Sequence, residues 1–136
     1  MLELADPIKA RLQGLPQLTG WAVRTNLEDA DRSTTPAADV RCVGAALPGD
    51  KRGAMTLRPA WQVTLVVARS PSAAGQISGA LRAVLHSLHG WQPQTCDGLE
   101  WGELSLQAIT EPMVENEGLV GYELTFATVH VIKGQQ

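Results

Sequence analysis

The chain has 136 residues, 44% of them hydrophobic and 18% charged, which suits one globular domain over residues 1–136 and excludes global disorder. Eleven basic and fourteen acidic residues give a net charge of −3, interspersed and without a basic tract, so specific nucleic-acid binding is not expected. No run is apolar for long enough to span a membrane, and none reads as a signal peptide; the expected site is the cytoplasm.

Leu4, Ile8 and Leu12 recur every four residues and predict a first helix over Leu2–Leu12, its regular part starting at Asp6-Pro7 and ending at Gly14-Leu-Pro16. Trp21–Leu27 alternates as a strand. Glu28–Pro36 is polar and reads as an exposed loop. Ala38–Leu47 is a second strand around Val40, Cys42 and Val43, followed by a charged turn, Pro48–Gly53. An extended pattern resumes at Ala54 and runs past Pro59, where a bulge or an edge position is expected because proline cannot donate to a ladder.

The organising stretch is Trp61–Trp91. Val63, Leu65 and Val67 share one face of a strand whose other face, Gln62, Thr64, Val66 and Ala68, is only partly polar, so the strand should be central and covered. Ser70-Pro-Ser72 breaks it, with Ser70 as expected N-cap and Pro71 at the first helical position. Ile77, Leu81, Val84, Leu85 and Leu88 then form a helical stripe closed by Gly90. Gly75 and Gly79 hint at close packing on the small-residue side, or at a loose first turn.

Leu99–Ile109 alternates again. Thr110–Gly118, with Glu111, Glu115 and Glu117, makes an acidic tip around which the last two strands should pair antiparallel. Leu119–Ile132 is the cleanest alternation, with Tyr122, Leu124, Phe126, Thr128 and His130 on one face. The expected fold class is α+β: a mostly antiparallel sheet of about five strands with two helices packed on one face. The side carrying Leu104, Leu106, Leu124 and Phe126 should meet the Ile77–Leu88 stripe.

Chemistry is hard to place on this pattern. His86 and His89, with Cys96 and Asp97 behind them, form a metal candidate, yet a histidine at a helix C-terminus also meets the dipole favourably. Cys96-Asp-Gly could hold an activated thiol, and Glu111, Glu115 and Glu117 could supply paired acids; a solvated loop accounts for both. Cys42 and Cys96 fit no metal or redox spacing and are expected to be reduced and half-buried. No nucleophile elbow, P-loop or dinucleotide fingerprint occurs, so no catalytic, cofactor or metal residues are assigned and no enzyme is expected. Trp21, Trp61, Trp91 and Trp101 should sit at element ends and pack at the core edge with N–H groups partnered, or else cover a subunit contact.

The order of elements resembles that of tail terminators of long-tailed bacteriophages, also called tail completion or minor tail proteins. The resemblance covers most of the chain, from the helix ending at Leu15-Pro16 to Val131. It rests on the Trp61–Arg69 strand, the helix end Leu85-His-Ser-Leu-His-Gly-Trp91, Leu99-Glu-Trp101 and Glu117-Gly-Leu-Val-Gly-Tyr-Glu-Leu-Thr-Phe126. It implies a subunit that forms a hexameric ring with itself on the tail tube. Such a ring ends polymerisation of the tube protein and offers a surface to head connector proteins, in the virion at the tail end, assembled in the host bacterial cytoplasm. A head–tail joining protein is the alternative, and a small metal-binding or enzymatic domain using His86, His89 and Cys96 a further one. A ring needs two different patches that meet. The charged excursions supply the candidates: Asp29, Asp31 and Arg32; Asp50, Lys51 and Arg52; Glu115 and Glu117.

Overall fold

The computed structural model describes residues 2–28, 33–47, 50–51, 54–94, 100–112 and 118–133. A 3-10 turn, Leu2–Leu4, leads into helix α1, Ala5–Gln13. The strands are β1 (Ala22–Thr25), β2 (Ala37–Ala46), β3 (Asp50–Lys51) and β4 (Ala54–Ala68); helix α2 (Ala73–Leu88) separates them from β5 (Ser105–Thr110), β6 (Leu119–Ala127) and β7 (His130–Lys133). The main sheet runs β1-β2-β4-β6-β5, and β3 and β7 pair with the first half of β4. All pairings are antiparallel except β1 with β2. That exception accounts for the polar excursion after Thr25, because parallel neighbours need a crossover rather than a tight turn.

β4 is central, as its two-sided pattern predicts. Trp61, Val63, Leu65 and Val67 are buried on the face that meets both helices, together with Val40 from β2 and Leu124 and Phe126 from β6. Ile8 and Leu12 from α1, and Ala80, Val84 and Leu88 from α2, close this core; Leu104 is buried in it and Leu106 packs against its edge. Each fully buried aliphatic side chain contributes about 1.5–3 kcal/mol over its exposed state. The opposite face is polar. Arg24 bonds Asp39, Arg41 reaches Gln62, and Thr64 donates to Glu123 at 3.4 Å.

Several local expectations change. The turn Pro48–Gly53 contains a short strand, since Asp50 and Lys51 pair with Met55 and Ala54. Pro59 is neither bulged nor at an edge. Its carbonyl accepts Thr128 N–H at 3.3 Å, and its missing donor falls at the gap between β6 and β7, where the ladder is already interrupted. The bulge lies on the partner strand, between Cys42 and Gly44, with Gly44 at φ +134°. The single final strand is two, because the ladder breaks at Thr128 and Val129; Leu124, Phe126, Thr128 and His130 nevertheless share the buried face. α2 starts at Ala73, with Ser72 rather than Ser70 at the cap and no side-chain cap bond.

Gly90 takes the left-handed conformation at φ +81°, and its N–H donates to Leu104 O at 2.7 Å, which turns the chain back toward β5. Gly75 and Gly79 pack against nothing: a Cβ at either would meet no atom within 4 Å. Gly121 is the opposite case, since a Cβ there would lie 2.9 Å from Leu65 O. Gly75→Ala and Gly79→Ala should each stabilise the fold by about 1 kcal/mol, and Gly121→Ala should destabilise it, in urea denaturation of the purified variants.

Candidate assembly surfaces

Most charged residues singled out for subunit contacts fall outside the described residues: Asp29, Asp31, Arg32, Arg52, Glu115 and Glu117. Asp50 and Lys51 lie in β3. The described flanks of these excursions are firmly held. Glu28 accepts Lys9 Nζ at 2.8 Å and Thr25 N–H at 2.7 Å, tying the end of β1 to α1. Arg24, 5% exposed, donates Nε to Asp39 Oδ1 at 2.6 Å and Nη2 to Oδ2 at 2.9 Å, and Nη1 reaches Thr34 O. This bidentate pair anchors the return of the crossover into β2.

The histidines do not converge. His86 is exposed on α2, whereas His89 Nδ1 accepts the backbone N–H of Leu106 at 3.1 Å. Cys96 and Asp97 fall outside the described residues, and among the described residues no three His, Cys, Asp or Glu side chains gather into a metal site. His130 is 1% exposed and stacks on Trp101 with ring centroids 4.1 Å apart, its Nδ1–H donating to Glu100 O at 3.1 Å. With Thr128 Oγ1 donating to Gly102 O at 2.6 Å, this stack pins the 100–104 segment over the break between β6 and β7. His130 is thus a packed core residue. Alternation in the sequence places it on the inner face, but the stacking partner comes from tertiary structure. Cys42 is a free, half-buried thiol, as expected.

The tryptophans are packed. Trp61, 1% exposed, lies mid-strand rather than at an element end, and its Nε1 has no partner among the described residues. Trp101 stacks on His130; Trp91 is half-buried with the Arg11 guanidinium 4.7 Å above its ring. Arg11 also donates to Ser87 O at 2.9 Å, satisfying a carbonyl in the last turn of α2.

Sequence reading missed the open features. Beside α2, an apolar groove of about 710 Å³ is walled by Ile77, Leu81, Leu85, Ile109, Val120 and Tyr122. Its polar lining comes from Arg69, Arg82, Ser70, Ser78 and Tyr122. Next to it Leu85, His86, His89 and Leu106 surround a smaller hollow. Large apolar side chains exposed among the described residues include Leu47 at 64%, Val43 at 44% and Ile109 at 41%. They lie on β2, β5 and the residue after β2. Long alternating runs in the sequence concealed them, because alternation does not reveal where a neighbouring strand stops.

No family model matches the chain, and no curated protein does. Among solved structures it is similar to a chain of the virion of a native gene transfer agent particle. That match has a TM-score of 0.70 and 16% identity over 95% of both chains. At that identity the likeness establishes the shared fold. Asp39→Ala, which removes the bidentate carboxylate partner of the buried Arg24 guanidinium, should cost about 3 kcal/mol in denaturant unfolding. Protein purified without chelators should carry no stoichiometric zinc by elemental analysis.

Proposed function

We propose that this chain is a structural subunit of a phage-like particle. Within that class we assign it as the tail terminator, a ring that caps the tail tube, ends polymerisation of the tube protein and presents the surface to which the head connector attaches. The carrying observation is the fold shared end to end with a chain of a gene transfer agent virion. One feature agrees with it: Val43, Leu47 and Ile109 expose apolar side chains near strand edges, as a subunit built for assembly would. A homo-oligomeric ring, a hexamer by the family resemblance, needs heterologous contacts that close. In this reading the ring belongs to the virion at the tail end and assembles in the host cytoplasm, with the tube and connector proteins as its partners.

The charged excursions serve that ring as contact segments. Reversing charge at Asp29, Asp31 and Arg32, at Asp50, Lys51 and Arg52, or at Glu115 and Glu117 should lower the yield of complete particles. The thermal midpoint of the isolated subunit should stay unchanged, as it does when contact rather than folding is lost. Deleting the gene from its phage or prophage, inducing and imaging by negative-stain electron microscopy tests the role directly. Overlong or irregular tails and unattached heads are expected. Headless tails of normal length would assign the chain to head–tail joining instead, and normal infectious particles would remove both roles.

A further inference from the structure

Among the described residues, the main sheet has an unpaired margin at each side. There β1 accompanies β2 only along Ala37–Val40, so β2 is open from Arg41 to Ala46. At the far side β5 pairs, among the described residues, only with β6. Its start is occupied, since Leu104 bonds Gly90 and Trp91 and Leu106 N–H is held by His89, but Gln107–Thr110 is exposed and carries neither a charge nor a proline. Monomeric proteins usually protect such an edge.

The two margins match each other. Val40 O faces away from β4, accepting Asn26 N–H at 3.2 Å, and by strand alternation Cys42 presents its backbone the same way. Leu106 N–H faces away from β6, and the pairings Leu106–Phe126 and Ile109–Leu124 give Ile109 the same orientation. Cys42 opposes buried Trp61 and Ile109 opposes buried Leu124, so both side chains lie on the helix-covered face. Each margin carries one bulge residue, Val43 in β2 and Gln107 in β5. Read in opposite directions from Arg41 and from Thr110, the two alternate between faces in step. The strand order makes β2 and β5 antiparallel, so repeating the subunit about an axis lays one margin beside the other without reversing either face.

We propose that copies of this chain join head to tail by continuing the sheet, the Arg41–Ala46 margin of one copy pairing with β5 of the next. Arg41 then lies across from Thr110 and beside exposed Glu111, Cys42 across from Ile109, Gly44 across from Ala108, and Ala45 across from Leu106. His89 yields the Leu106 N–H to the incoming strand. Leu47, two residues past Ala45, is carried to the hollow between Leu85, His86, His89 and Leu106. Backbone pairing supplies the affinity and the buried leucine the register. The contact is heterologous, so it propagates until a ring closes. It rests on the ring reading only for the number of copies.

The test uses Ile109→Cys in a Cys96→Ser background, cross-linked with a short bismaleimide both in concentrated purified protein and in particles. A ladder of dimers, trimers and larger species on denaturing gels is expected, and it should vanish when Cys42→Ser is added. Dimers alone that persist without Cys42 would mean β5 paired with itself and would overturn the proposal. Absence of a ladder in both samples would also overturn it. Two edge-blocking variants give an independent readout. Ala45→Lys and Ala108→Lys should each be monomeric by light scattering, and an equimolar mixture should form dimers and stop there. Wild-type-like oligomers from either variant, or a mixture that stays monomeric where the parent protein assembles, would overturn it. A ladder together with normal tails in the deletion strain would keep the sheet contact and remove the terminator role; overlong tails without a ladder would do the reverse.

Discussion

Strand β4 is paired along both flanks of its second half, to β2 on one side and β6 on the other, and its first half carries β3 and β7. One face of that strand, Trp61, Val63, Leu65 and Val67, is almost wholly removed from water beneath the helices. A one-residue slip would turn those four side chains out to the polar face and bring Gln62, Thr64 and Val66 inward. The register of β4 therefore decides the register of its neighbours. Through them it decides which residues reach the margins of the sheet.

The helices depend on the same strand. α2 lays Ile77, Ala80, Val84 and Leu88 against the sheet, and α1 adds Ile8 and Leu12 beside it. Arg11 joins the two helices by bonding Ser87 O and covering Trp91, while Lys9 joins α1 to the end of β1 through Glu28. At the other end of the sheet, the Trp101–His130 stack and the bonds at Gly102 fasten the segment before β5 to the junction of β6 and β7. Both ends of the sheet are thus tied down. Among the described residues, its two lateral margins and the apolar groove along α2 stay open.

Under the role proposed above, that distribution would serve contact between chains. Buried polar groups such as Arg24 and His130 have structural partners, and His89, which caps the C-terminus of α2, holds a backbone N–H. Val43 and Ile109 expose apolar side chains on the margins of β2 and β5, where a neighbouring chain can add hydrogen bonds and burial together. Gene transfer agent virions contain a chain of this fold. The proposed particle subunit would use this rigid body and its open strand margins.

Periodicity alone was enough to identify the central strand, both helices, the antiparallel pairing of β5 with β6 and the inner face of Leu124, Phe126 and His130, because each reflects a local repeat of two or 3.6 residues. The left-handed Gly90 was likewise legible at the end of a helical stripe. Four features were not: the parallel β1–β2 pairing, the division of the last strand at Thr128, the placing of the bulge at Val43 rather than at Pro59, and the open margins of β2 and β5. Each depends on where a partner strand begins or ends, which is a relation between distant segments. The residues along one strand carry its alternation, and only the assembled sheet determines which of its hydrogen-bonding groups are left without a neighbour.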